Sequence, residues 1–213
     1  MMRQSVPPEI PPFGPEIPRP EPERPAAPLW PLSVTEGTGM DARSALLRQR
    51  RVMLTGTLDD EAVTRAAAEL MLLDGESTRK VELIVNGDGG PLPDVLAVLD
   101  VLDLMRAPVT TRCIGRATGT AAVVLASGTA GRAAAANAVI SLRLRERYDV
   151  DGRAGDVERF AGHLAEVRDR IERHLATVTG LGDDEIRHGL DDGESISADT
   201  ARAHGIIDEI IRR

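Results

Sequence analysis

The chain has 213 residues, a net charge of −8 and only 2% aromatic residues. This acidic balance gives polyanions no general attraction, so it argues against nucleic acid and against an anionic membrane as the main partner. A single cysteine, Cys113, excludes an intrachain disulfide and a cysteine-rich metal site, and we expect a buried structural thiol and no cofactor.

The first part of the chain differs from the rest in composition. Eleven of the 14 prolines lie within residues 1–32. Proline removes a backbone donor and fixes φ, so we predict that residues 1–34 form an extended, disordered tail. The tail is either a docking peptide or an extension without a role. The sequence shows no apolar signal-peptide core and no run of about 18 apolar residues, so we expect a cytoplasmic protein without a membrane span.

From residue 41 onward, the hydrophobic pattern predicts alternating helices and strands. In chain order these are a short helix at 41–48, the strand RRVMLTG, a helix at 59–74, the strand VELIVNGDGG, the helix LPDVLAVLDVLDLMR, the strand VTTRCIG, the small-residue helix ATGTAAVVLASG, one or two strands in AAAANAVISLRL, a long charged helix at 156–177, a short helix at 197–204 and the strand GIIDEIIRR. Strands that are apolar throughout are typical of burial on both faces. We therefore predict one α/β domain, with a largely parallel sheet covered by helices.

Four segments occur in a recognisable order: RRVMLTGTLDD, VELIVNGDGG, VTTRCIGRATGTAA and ISADTARAHGIIDEII. They resemble the ClpP family, the serine peptidase subunits of ATP-dependent Clp proteases, over about residues 35–213. The resemblance implies a ββα-superhelix of the crotonase type, in which helix 156–177 is a projecting handle. It also implies seven-membered rings that stack in pairs through their handles and receive protein substrates from an AAA+ unfoldase.

The resemblance places the three positions of the family's Ser-His-Asp triad. The serine of G-x-A-A-S falls at Gly119, the histidine of P-N-x-x-x-x-I-H at Arg143, and the aspartate of D-R-D-x-F at Gly193. Glycine has no group that attacks a carbonyl, and a guanidinium that stays charged near neutral pH is no general base. Because triad members act as a unit, we predict that the peptidase activity is lost.

Thr118 and Thr120 flank the nucleophile position and are the alternative nucleophiles. In a helix each would be rotated by about 100° from residue 119, and each would still need a base. The four histidines all lie beyond the strands around this site: His163, His174, His188 and His204. A plain alternative is that CIGRATGTAA is a core helix whose small residues allow close packing.

The glycine turn keeps more of the family pattern than the triad does. Asn86 to Gly90 match N-S-P-G-G, and the family uses N–H groups of this turn, here those of Gly89 and Gly90, to form an oxyanion hole and bind the peptide main chain. The turn is either such a cradle or a tight strand-to-helix turn without a ligand. Asp88, which replaces the proline, would repel an oxyanion.

Charged groups near this turn and near the end of the domain have several possible partners. Arg116 and Arg143 fill space, or they pair with Asp88 or with the acidic residues Asp191 and Asp192. The possible polar groups of the pocket are Asp88, Arg116, Thr118 and Thr120.

Two further departures from the family pattern concern assembly. Asp192, beside Asp191, replaces an arginine that pairs across the ring-to-ring interface, so we expect a like-charge cluster and altered stacking. Ile84 replaces a tyrosine of the hydrophobic pocket for unfoldase loops, and Ser195 replaces the phenylalanine of D-x-F. We expect weaker docking of an unfoldase.

Three functions are compatible with these observations. The first is a pseudoprotease, a non-catalytic ClpP-like subunit that joins homomeric or mixed rings and alters their assembly, gating or partner choice. The second is a crotonase-type enzyme that stabilises an oxyanion on a small molecule at the glycine turn. The third is an active ATP-dependent serine-type endopeptidase subunit, as the family pattern implies.

Overall fold

The computed structural model describes residues 42–144, 148 and 153–212, so the predicted tail at 1–34 lies outside the described residues. The helices are α1 (Ala42–Arg48), α2 (Asp60–Glu76), α3 (Leu92–Leu104), α4 (Thr120–Ala126), α5 (Ala154–Val178), α6 (Asp183–Asp192) and α7 (Ala198–Ala203). The strands are β1 (Arg51–Thr57), β2 (Val81–Gly89), β3 (Val109–Thr118), β4 (Arg132–Ala135), β5 (Val139–Ser141), β6 (Ile196–Ser197) and β7 (Glu209–Ile211).

One sheet organises these elements, with the strand order β1-β2-β3-β4-β7 and every pair along this path parallel. Strand β5 pairs in parallel with the last residues of β3, and β6 is antiparallel to β5. The prediction of a largely parallel α/β sheet is confirmed. The carboxyl ends of β2 and β3 therefore lie side by side, and this is where ligand sites form in such sheets.

The core is aliphatic, as the scarcity of aromatic residues predicts. Leu83 and Val85 of β2, Leu70 of α2 and Val98 of α3 are all fully buried. Each such side chain stabilises the fold by about 1.5–3 kcal/mol relative to an exposed one. Cys113 lies in the same core, and its burial raises the pKa of its thiol to about 12, so it is an inert structural residue.

Arg50 joins the start of β1 to the end of α2 and the connection that follows it. It has a left-handed backbone (φ 59°), and only 6% of its surface is exposed. Its guanidinium donates to four carbonyl oxygens at the end of α2 and in the following connection: those of Leu73, Ser77, Arg79 and Lys80. The side chain therefore satisfies acceptors that the end of a helix would otherwise leave unpaired.

The long charged helix is present as α5. Its buried residues, Val167, Ile171 and Leu175, all lie in its C-terminal half. Arg168, on the same half, pairs with Asp191 of α6 at 2.9 Å. Asp191 thus has a cationic partner within the chain, whereas the expected effect of the Asp191 and Asp192 pair on ring stacking stays a prediction.

Three further differences from the sequence-based expectations are local. Helix α6 was not expected, because Ile186 and Leu190 are its only buried residues among acidic neighbours. Strand β6 has only two residues, too few to give a periodic signal. Strand β3 continues through residues 115–118, which were assigned partly to a helix, because β5 pairs with it there.

Candidate functional site

The candidate site lies at the junction of β3 and α4. Gly119 stands between them with φ 56° and ψ −130°, a conformation that side-chain-bearing residues rarely adopt. Sharp strand-to-helix turns of this kind present the nucleophile in G-x-S-x-G hydrolases. The expectation of a continuous helix through residue 119 is therefore wrong, and the argument from 100° rotations does not apply here.

The structure brings the three predicted triad positions together. A β-carbon on Gly119 would lie 3.3 Å from the carbonyl oxygen of Arg143. The Ser141 hydroxyl accepts from the N–H of Arg143 and donates to the carbonyl oxygen of Gly193, each at 3.3 Å. The Gly119 N–H donates to the Ser141 carbonyl at 2.9 Å. Ser141, which sequence reasoning missed, thus connects all three positions through hydrogen bonds.

The side chains at these positions supply no catalytic group. Gly119 and Gly193 have no side chain. A β-carbon on Gly193 would overlap the carbonyl oxygen of Gly189. Arg143 is exposed, and its guanidinium makes no ion pair with any side chain in the described part of the chain. The backbone of the cluster is in place without an attacking group or a base.

Packing alone explains both residues of the glycine turn. Gly89 has φ 87°, and a β-carbon on it would lie 2.8 Å from the carbonyl oxygen of Thr118. A β-carbon on Gly90 would overlap the carbonyl oxygen of Leu58. These contacts favour the interpretation of a tight turn that requires glycine whether or not a ligand binds.

Thr120 is hydrogen-bonded to this turn. Its fully buried hydroxyl accepts from the Gly90 N–H at 2.8 Å and donates to the Gly90 carbonyl at 3.1 Å. With its proton committed and no imidazole contacting it among the described residues, the hydroxyl has no means of attack. Thr118, at the end of β3, is half-buried and likewise has no imidazole partner among the residues described.

Arg116 pairs with Asp88, which answers one question that the sequence left open. The two side chains form an ion pair across the ends of β3 and β2, and each remains more than half exposed. The Arg116 N–H also donates to the Asn86 side chain at 3.3 Å. The carboxylate that was expected to repel an oxyanion therefore has a neighbouring counter-charge.

A serine–histidine pair that sequence reasoning missed lies at the other end of α4. The buried Ser127 Oγ is 2.7 Å from His174 Nε2 and 2.7 Å from the carbonyl oxygen of Val123. A carbonyl only accepts, so the serine proton goes to Val123 and the imidazole must donate its Nε2 proton to the serine. Burial lowers the pKa of His174, and the charge of Asp103 opposes this shift.

This pair is separate from the elbow at Gly119. The seven residues of α4 lie between them, a length of roughly 10 Å at the α-helical rise per residue. The imidazole acts as a donor, so it cannot take the serine proton in this arrangement. Ser127 and His174 are 47 positions apart in sequence, and no local motif signals their contact.

The family model described as Clp protease matches residues 35–213 of the chain. This chain belongs to the Clp protease family. Proteolytic subunit 2 of the ATP-dependent Clp protease of Frankia casuarinae is 33% identical over 175 residues, covering 82% of this chain and 81% of the relative. Proteolytic subunit 3 of the same organism is 34% identical over 173 residues, with 81% of each chain covered. Proteolytic subunit 1 of Thermobifida fusca is 30% identical over 174 residues, with 81% and 78% covered.

The Clp protease family consists of serine peptidases, and this chain is a homologue of its proteolytic subunits. Its α/β architecture agrees with that of the family. None of the described helices has the length and apolar character that a bilayer crossing demands. Within the described ranges, no three histidine, cysteine or acidic side chains are grouped so that they could hold a metal ion.

Proposed function

We propose that this chain is a non-catalytic, ClpP-type ring subunit that modulates or scaffolds a Clp protease. One observation carries the proposal: the elbow between β3 and α4 has the backbone that presents a nucleophile, and Gly119 gives it no side chain. Arg143 and Gly193 at the neighbouring positions remove the base and its orienting carboxylate. On this proposal, Gly119, Arg143 and Gly193 are the degenerate triad positions.

Internal hydrogen bonds at the site also favour this function over catalysis. Thr120 uses both main-chain groups of Gly90, and Ser141 uses those of Arg143 and Gly193. A crotonase-type enzyme would need the Gly90 N–H free for a substrate oxygen. A peptidase would need a base at the elbow, and His174 lies at the far end of α4.

The partners follow from the family membership and from the exposed surface. We propose assembly with ClpP-type subunits, in homomeric or mixed rings, and a possible AAA+ unfoldase partner in the cytoplasm. The exposed side chains of Met71 and Leu104, 62% and 82% accessible, offer apolar contact area for a neighbouring subunit. Neither nucleic acid nor membrane is part of this function.

Native mass spectrometry of the full-length chain, purified through a tag from its source cells, tests the proposal. We expect rings that contain an active ClpP-type subunit, and no hydrolysis of a fluorogenic peptide by the chain alone at high concentration. A chain that purifies without any active subunit contradicts the proposed role in a Clp protease. Peptide turnover by the pure chain contradicts the non-catalytic role.

A further inference from the structure

The contact between Thr120 and Gly90 resembles the binding of a ligand oxygen. Donors of oxyanion-type sites lie about 2.7–3.1 Å from the oxygen that they stabilise. The Thr120 hydroxyl oxygen lies 2.8 Å from the Gly90 nitrogen, inside this range. The Thr120 hydroxyl therefore already satisfies the N–H that a substrate oxygen would need at this turn.

Two carbonyl groups of the turn are also engaged within the chain. The Gly90 carbonyl accepts from the Thr120 hydroxyl at 3.1 Å, and the Gly89 carbonyl accepts from the Leu58 N–H at 2.8 Å. An extended peptide pairs with a protein through such N–H and C=O groups. Here these three groups already have partners, at normal hydrogen-bond distances.

Burial makes these internal bonds hard to replace. Thr120 is fully buried, and Gly89 and Gly90 are buried beside it. A ligand that displaced the hydroxyl would have to find new partners for the hydroxyl and for both groups of Gly90. Buried polar groups left without partners are costly, so an incoming peptide gains little from the exchange.

We propose that Thr120 is the specificity-determining residue of this site and that its hydroxyl excludes peptide main chains from the Gly90 N–H. The inference rests on the proposed function, because it takes the chain to be a subunit without a triad. It explains why such a subunit would also not bind a peptide at the glycine turn. It adds that a single side chain, and not the loss of the triad, closes the site to peptides.

Three substitutions separate the effect of the hydroxyl from the effect of its volume. Thr120→Ser keeps the hydroxyl, Thr120→Val keeps the bulk without it, and Thr120→Ala removes both. The probe is a fluorescein-labelled, unstructured decapeptide amide, and its binding to the full-length chain is followed by fluorescence anisotropy. Hydrogen–deuterium exchange of the segment that contains Gly90 is measured in the same samples.

We expect at least tenfold tighter peptide binding by Thr120→Ala than by the wild type or Thr120→Ser, and intermediate binding by Thr120→Val, because valine lacks the hydroxyl and keeps the bulk. Exchange at Gly90 should be slow in the wild type and in Thr120→Ser, and faster in Thr120→Val and Thr120→Ala. A folded Thr120→Ala variant that gains no binding overturns the proposal. So does a wild-type chain whose Gly90 segment becomes protected when the peptide is added.

If Thr120→Ala does not fold, hydrogen–deuterium exchange of the wild type with peptide tests the proposal by itself. Unchanged exchange at Gly90 with a large excess of peptide supports the proposal, and added protection overturns it. Peptide hydrolysis is measured in parallel. Turnover contradicts the non-catalytic function and leaves the proposed role of Thr120 unaffected. Binding of the peptide by the wild type without turnover contradicts only the role of Thr120.

Discussion

The two ends of helix α4 carry complementary halves of what a serine hydrolase needs. Its N-terminal end follows the elbow at Gly119, where the backbone is shaped for a nucleophile and no side chain is present. At its C-terminal end, Ser127 contacts His174. A serine and a histidine are the residue types of a serine hydrolase, but here they lie away from the elbow. A serine next to a histidine does not make a catalytic site unless backbone geometry and proton direction also agree.

The largest expected effect comes from disturbing the turn that supports the N-terminal end. Gly90→Ala places a β-carbon on the Leu58 carbonyl oxygen, so we expect a loss of about 3 kcal/mol or more of unfolding free energy. Urea denaturation followed by circular dichroism measures it. Gly162→Ala is the matched control, because its β-carbon meets nothing within 4 Å and alanine in a helix adds up to about 1 kcal/mol. Equal stability of Gly90→Ala and the wild type would show that the turn is not packed as described.

Restoring a hydroxyl at the elbow tests whether backbone geometry alone suffices for catalysis. Gly119→Ser should lower the unfolding free energy by about 1–3 kcal/mol, since a side chain there must adopt a strained backbone. The β-carbon itself would fit tightly, at 3.3 and 3.6 Å from backbone oxygens. We expect no peptide hydrolysis, because among the described residues no imidazole contacts the elbow. Gly119→Ala carries the same strain without the hydroxyl, so hydrolysis by Gly119→Ser above that of Gly119→Ala contradicts this expectation.

At the other end of α4, loss of the hydroxyl should affect stability and not function. Ser127→Ala removes the bonds to His174 and Val123, at a cost of about 1 kcal/mol in unfolding free energy. Thermal denaturation checks this, with the exposed Ser195→Ala as a surface control that should change nothing. A change in the assembly or the peptidase activity of mixed rings would instead give Ser127 a functional role.

The smallest effect is the pH dependence that His174 contributes. Burial holds the pKa of its imidazole below the ordinary value of about 6.5, so the unfolded chain binds more protons than the folded chain. Its contribution to stability is therefore fully present above the unfolded pKa and is lost as the pH falls through about 6.5 and below. Urea titrations at a series of pH values, compared with His174→Gln, isolate this contribution. An identical pH profile in the variant would contradict the assignment.

The sequence predicted the elements with strong hydrophobic patterns and missed those that tertiary contacts create. The apolar run that became β2 and the amphipathic α3 were correctly predicted. Helix α6 was missed because acidic residues surround its two buried positions. The last residues of β3 have no apolar alternation, and pairing with β5 and β2 makes them a strand.

In the candidate site, too, sequence motifs selected residues that lie together, and contacts between distant parts of the chain were missed. The resemblance selected Gly119, Arg143 and Gly193, and the structure brings these positions together. The contact of Thr120 with Gly90 spans 30 positions, and that of Ser127 with His174 spans 47. Such contacts depend on how the strands are paired. A single sequence does not state this pairing, so it does not reveal the contacts.

On the proposed function, Gly193 is the position that most hinders a working triad. Residue 143 is exposed, so its side chain can be exchanged with the main chain left in place, whereas a β-carbon at residue 119 lies 3.3 Å from a backbone oxygen and requires a strained φ. An aspartate at residue 193 would collide with the carbonyl oxygen of Gly189, so the main chain at the end of α6 would have to shift. On the proposed assignment of the triad positions, a working triad would therefore require a rearranged backbone as well as three substitutions.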